Sequence, residues 1–194
     1  VLIVETAGED TEQTDVLELI HDSWLKAGIK VFTKPMQREV FRNRIFAGKT
    51  LMSVWGGLEN GVPTANISPD SLAPTSQQQL QWPKWGQYFE TKGGAGEVID
   101  MPEVKRLMAL RNSWVIAPDK AAREAIWREM LEIHAQQVYF FGLIQAVPQP
   151  VVVNRTLRNV PERGIYNWEP GAHFGLYRPD TFWFDGGARV ADTK

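Results

Sequence analysis

Strand-like and helical runs alternate through the first 55 residues, and that alternation constrains the fold more than any other feature of the sequence. "VLIVETAG" has the continuous, β-branched apolar character of a buried strand, and Gly8 ends it. Asp10 with Gln13 can form a capping box for a helix in which Val16, Leu19, Ile20 and Trp24 recur at helical spacing, with Gly28 as its stop. "IKVFTKPM" reads as a strand with Ile29, Val31 and Thr33 on one face and Phe32 on the other, both faces expected to be covered. "QREVFRNRIFAG" gives a short helix, apolar at Val40, Phe41, Ile45 and Phe46 and stopped by Gly48, and "TLMSVW" is a third strand. This order predicts an α/β fold with a mostly parallel sheet flanked by helices. In open sheets of that kind ligands bind beyond the carboxyl ends of the strands, and Trp55 stands at such an end.

Regular periodicity then disappears from Gly56 to Gly96, where Pro, Gly, Ser, Asn and Gln dominate. The aromatics Trp82, Trp85, Tyr88 and Phe89 would be costly to leave in water, so the stretch is expected to be an ordered excursion over a surface. Asp100, Pro102 and Glu103 signal a helix start followed by Val104, Leu107, Met108, Leu110 and Trp114. A second helix, N-capped at Asp119 and apolar at Ile126, Trp127, Met130 and Ile133, should run antiparallel to the first. "VYFFGLIQ" reads as a further strand, "PVVVNRTLRNV" as an extended segment and "GIYNWEPGAHFGLYRPDTFWF" as irregular. With no internal repeat and no clean linker, residues 1–185 are expected to form one α/β unit, with 186–194 as a solvated tail. The opening "VLIVETAG" reads as a strand already under way, so the chain is expected to begin inside a larger protein.

Composition removes several classes of function. The 194 residues carry 21 basic and 23 acidic side chains and a net charge of -2, with no long like-charge run, so nucleic acid is not an expected partner. Without cysteine there is no disulfide, thiolate metal site or cysteine nucleophile. His21, His134 and His173 are widely separated and fit no metal motif, "KGGAGE" lacks the Lys-Ser/Thr end of a phosphate loop, and no G-x-S-x-G elbow occurs. Neither a metal, a cofactor nor a catalytic residue is expected.

The candidate site is therefore a binding site. Trp55 either closes the core of the sheet or faces a ligand; Gly56 and Gly57 let a ligand approach the backbone; Glu59 and Asn60 offer polar contacts on the same loop. Trp82 and Trp85 either cover apolar helix faces or supply stacking surface. Trp24, Trp114 and Trp127, at helical spacing among aliphatic residues, read as core.

Three stretches together carry a resemblance: "VETAGEDTEQTDVLELIHDSWLKAGIKV", "FRNRIFAGKTLMSVWGG" and "AREAIWREMLEIHAQQVYFFGLIQ". Their order over about residues 1 to 160 resembles the C-terminal lobe of extracellular solute-binding proteins of the dipeptide/oligopeptide/nickel class (family 5), the receptors of bacterial ABC importers. "GIYNWEPGAHFGLYRPDTFWF" resembles that family's C-terminal segment. The resemblance implies one lobe of a type II periplasmic-binding-protein fold, a monomeric periplasmic protein made with a signal peptide, and a peptide or oligosaccharide held in a cleft between two lobes. It also implies an ABC permease in the inner membrane as partner, and weak or no ligand affinity for one lobe alone. In peptide-binding relatives an aspartate follows the Trp-Gly strand end; here Leu58, Glu59 and Asn60 occupy that region, so the anchor differs in kind. Two alternatives remain open: an enzyme on a similar scaffold using Glu59 as acid or base, and a sensory binding domain.

Overall fold

The computed structural model describes residues 1–9, 11–57, 64–143, 148–165 and 175–186. The chain divides into two compact units, residues 1–56 with 68–141, and residues 57–67 with 142–194.

The first unit is α/β. Strand β1 (Leu2–Thr6) leads into helix α1 (Thr11–Lys26), strand β2 (Val31–Pro35) and helix α2 (Arg38–Phe46). β1 and β2 pair in parallel, with Leu2 opposite Val31 and Thr6 opposite Pro35. Val4, Leu17 and Val31 are buried together, and Ile20, Trp24, Met52 and Val54 pack against them, so α1 closes one face of the sheet. The predicted stop at Gly28 is a Schellman turn: Ile29 N–H donates to the Trp24 carbonyl and Gly28 N–H to that of Leu25, with Gly28 at φ +81°. Gly48 ends α2 in the same way. On the other face, Ala7, Phe41 and Ile45 are buried with Met36, Phe46 and Leu80 against them.

Three expectations about strands need correcting. "TLMSVW" pairs with β1 only through a parallel bridge between Ser53 and Glu5, where Glu5 N–H donates to the Met52 carbonyl and Val54 N–H to that of Glu5. The segment is too short to become a full strand, since it leaves the Gly48 turn with Leu51 exposed and reaches the glycines at 56 and 57 directly afterwards. It still runs parallel beside β1, so all three segments point the same way. β2 is also covered less completely than expected, because Phe32 within it and Ile29 just before it are each nearly half-exposed.

"VYFFGLIQ" also departs from the strand expected of it. Val138 adopts a left-handed conformation that ends helix α5 (Lys120–Gln137), and Phe140 and Tyr139 turn back so that their rings meet His134. Residues 138–143 therefore form no strand, and residues 144–147 lie outside the described ones.

A helical layer completes the unit. The excursion after Gly56 contains a 3-10 helix (Pro69–Leu72) and, unexpectedly, helix α3 (Pro83–Glu90). Helix α4 (Pro102–Val115) runs antiparallel to α5, since Arg106 pairs with Glu129 while the Arg123 guanidinium lies over Trp114. The Asp119 carboxylate accepts from Ala122 N–H at 2.8 Å, the cap the sequence signalled. Leu72, Ala73, Trp82, Leu107, Leu110 and Met130 form the buried cluster of this layer. Trp127 is half-buried against that cluster, Trp24 is half-buried against the sheet, and Trp114 is half-buried on α4.

His134 is buried beside that cluster. Its Nε2 lies 2.9 Å from the Leu72 carbonyl, its ring packs against Trp82, Tyr139 and Phe140, and Nδ1 has no partner among the described residues. Burial holds its pKa below the ordinary 6.5, and the hydrogen bond to Leu72 only partly offsets this. The folded chain thus binds the proton less readily than the unfolded chain. Stability is expected to be full above about pH 6.5, to fall as pH drops through that value, and to level out below the lowered folded pKa. Urea midpoints measured between about pH 7.5 and pH 5.5 should show this decline, and His134→Gln should flatten it.

The second unit is small and irregular. Strands β3 (Leu157–Arg158) and β4 (Trp183–Phe184) pair antiparallel, and Arg158 holds Asp185 through Nη2 at 2.7 Å. Two 3-10 turns, Gly175–Tyr177 and Pro179–Thr181, precede β4, and the Tyr177 hydroxyl accepts from Ile165 N–H. Asn159 donates to the Thr181 hydroxyl at 2.9 Å.

Candidate functional site

Parallel pairing brings three carboxyl ends to one edge of the first unit. β1 runs out through Ala7 and Gly8 to Glu9. β2 runs out through Met36 and Gln37 to Arg38, the first residue of α2. The bridge at Ser53 runs out to Trp55.

The three side chains meet there. The Trp55 indole stacks on Phe41 with ring centroids 5.8 Å apart and an interplanar angle of 25°, and the Arg38 guanidinium lies 5.5 Å from the Trp55 ring. Arg38 and Phe41 are three residues apart and so are neighbours on one face of α2, across which the indole lies. Arg38 Nε donates to Glu9 Oε2 at 3.0 Å. Phe41 is fully buried, whereas Trp55 remains 39% exposed. The indole thus rests on the buried Phe41 ring and still presents part of its surface at the edge.

A second ion pair joins a buried carboxylate to a partly exposed guanidinium. Glu5, in β1, is buried; Arg44 Nη2 donates to its Oε1 at 2.6 Å, Arg44 Nε lies 3.1 Å from both carboxylate oxygens, and the Thr50 hydroxyl donates to Oε2 at 2.6 Å. Lys34 Nζ stands 3.9 Å away. The hydrogen bond from Arg44 holds the Glu5 carboxyl below the usual carboxylate value, against the opposing effect of burial. This pair anchors α2 and the 50–54 segment to β1, and thereby fixes where Arg38 and Trp55 stand.

The other sequence candidates are distributed differently. Gly56 and Gly57 are exposed and fall in the first and second unit respectively. Leu58, Glu59 and Asn60 lie outside the described residues, as does His173. Trp82 is a core residue: its indole is buried, its Nε1–H donates to Gln79 Oε1 at 3.0 Å, and its ring meets His134 and Tyr139 edge-on. With both its face and its donor occupied, it holds the scaffold. Trp85, on α3, is half-buried against the same cluster. Neither belongs to the Trp55 group.

Sequence reasoning passed over Glu9 and Arg38. The available signal was positional: each stands just past a strand end, where a doubly wound sheet puts its ligand-facing groups. Among the described residues no group of three or more His, Asp or Glu could hold a metal ion, and no helix is long and apolar enough to cross a membrane.

Among solved structures the fold has relatives. The chain is similar to part of an oligopeptide-binding protein. That protein, "oligopeptide-binding protein OppA", superposes with a TM-score of 0.55 over 71% of this chain at 21% identity. A structure of NikA from Brucella suis in complex with Fe(III)-EDTA superposes with a TM-score of 0.48 over 71% of this chain at 18% identity. This chain spans 23% and 25% of the lengths of those two chains. At such identities the likeness is one of fold. No family model matches the sequence, and no curated protein matches it.

Proposed function

We propose that this chain is part of a solute-binding receptor, which holds a small polar ligand at the carboxyl edge of its parallel segments, with Trp55 as the apolar contact. The observation that carries this reading is the half-exposed indole seated on buried Phe41 where β1, β2 and the Ser53 bridge all end. An indole fixed from below by a buried ring loses little freedom on binding and offers a rigid apolar surface with one N–H donor. The fold likeness to OppA supports the same reading. In it, the ligand is a peptide or oligosaccharide, closed over by a second lobe through a hinge and delivered to an ABC permease from the periplasm. Gly56, Gly57, Glu59 and Asn60 complete the binding loop in this proposal, and no catalytic step is required of it.

The test is a thermal-shift screen of the intact receptor that contains this chain against short peptides, raffinose- and cellulose-type oligosaccharides and nickel chelates, because a ligand that binds only the native state raises its melting temperature. Trp55→Ala is expected to weaken binding of any hit by about 30-fold, the effect of losing a buried aromatic anchor. It should leave the far-UV spectrum unchanged. Unaltered affinity in that variant would remove Trp55 from the site, and silence across all ligand classes would remove the receptor reading.

A further inference from the structure

Resting on the receptor reading, we infer that the ligand carries a carboxylate, and that Arg38 is the residue that recognises it. Three features of the strand-end edge lead there. First, the Arg38 guanidinium lies 5.5 Å from the Trp55 ring centroid, within cation–π reach, so the indole helps hold the cation at this edge. Second, among the described residues only Nε of this guanidinium donates, to Glu9; the Nη groups have no partner there. A planar fork has five N–H donors, and a ligand carboxylate can take two of them in parallel, which a single bond to Glu9 does not. Third, the Arg38 and Glu9 side chains are each 55% exposed. A pair so open to water contributes little to stability and exchanges readily.

Comparison with Arg44 sharpens the contrast. Both arginines lie on α2 and both pair with a glutamate of the β1 region, yet Arg44 makes three contacts with a buried carboxylate that also binds Thr50. Arg44 is a structural clamp whose donors are spent. Arg38 is held at the edge by the indole and left with donors to give. Glu9 then acts as an internal stand-in: it keeps the guanidinium aimed while the site is empty, and its charge opposes an incoming carboxylate. Arg38 thereby selects an acid ligand over its neutral counterpart, while Trp55 supplies contact that both share.

The experiment is isothermal titration of the intact receptor that contains this chain with two matched pairs: trialanine against trialanine amide, and cellobiouronic acid against cellobiose. The acid member of one pair is expected to bind at least about tenfold more tightly than its neutral partner, as a charge-assisted bidentate contact implies. Arg38→Gln should abolish that preference, so that the acid and neutral members bind alike. Glu9→Gln should raise affinity for the acid member several-fold, an outcome that a purely structural Arg38–Glu9 pair would not produce. Equal binding of acid and neutral members, or a hit in the thermal-shift screen that carries no anionic group, overturns the inference and leaves the receptor reading standing. No binding in either pair together with a silent screen overturns both.

Discussion

Replacing Gly86 by alanine is expected to destabilise the first unit by about 3 kcal/mol, although alanine is the better helix former. Gly86 is buried in α3, and a Cβ there would stand 2.1 Å from the Ser76 carbonyl oxygen, 2.3 Å from its carbon and 2.8 Å from Gln77 N. All three are backbone atoms, so no rotamer change relieves the overlap. The opposing turn is itself braced by Gln79, whose Oε1 accepts from Thr75 N–H, Ser76 N–H and Trp82 Nε1–H while its Nε2 donates to the Asp70 carbonyl at 2.7 Å. Either α3 moves away from the turn or the turn loses those bonds. For a chain of this size the loss corresponds to a fall in melting temperature of about 10 °C. Helix propensity alone predicts a stabilisation of up to about 1 kcal/mol, so the sign of the shift decides the matter. Gln81→Ala, at an exposed neighbouring position, serves as the control and should change stability by less than about 0.5 kcal/mol.

Removing the Glu5 carboxylate should also destabilise the unit, for an electrostatic reason. In Glu5→Ala the Arg44 guanidinium and the Thr50 hydroxyl lose their common acceptor, and because the Arg44 side chain is 34% exposed and regains water, the cost should be that of lost charge-assisted hydrogen bonds, about 2 kcal/mol. Glu5→Gln keeps the shape and part of the hydrogen bonding, so its cost should be smaller. The pH dependence supplies an independent check. Arg44 holds the Glu5 pKa below the ordinary 4.5, so the folded chain keeps this carboxylate ionised where the unfolded chain has begun to protonate it. The contribution is therefore complete above about pH 4.5 and is lost as pH falls through the lowered folded value. Urea unfolding at about pH 7 and pH 3.5 should give a difference that shrinks in Glu5→Gln. A variant with the wild-type acid limb would show that Glu5 is not the group being titrated. This limb lies below the one assigned to His134, so acidification should weaken the fold in two separable steps.

Much of the framework was legible in the sequence because it rests on local rules. The helices at 11–26, 38–46, 102–115 and 120–137 follow from apolar spacing, and their ends from Gly28, Gly48 and the Asp119 cap, each of which acts within a few residues of itself. The alternation of strands and helices likewise predicted parallel pairing. The misjudged segments all depend on distant partners. Helix α3 was hidden because its Gly86, unfavourable by propensity, is explained only by the approach of the Ser76 backbone. The strand expected at 138–143 has suitable residues, yet Val138 turns it back onto His134. "TLMSVW" had the right direction and the wrong extent, because its neighbour is available only at Glu5.

For the site the same division holds. That Trp55 ends a parallel segment, and so stands at the edge where such sheets bind ligands, was determined by the order of residues alone, since β-α-β crossovers leave no other place for it. That Trp55 keeps Arg38 over its ring, that Arg38 borrows Glu9, and that Trp82 is spent on the core instead, only the tertiary structure decided. Glu9 and Arg38 are 29 positions apart, and Trp55 lies 17 beyond Arg38. Periodicity is a property of neighbours in the chain, whereas a site is made by groups that the crossovers carry to one edge, and no local pattern records which of them arrive together.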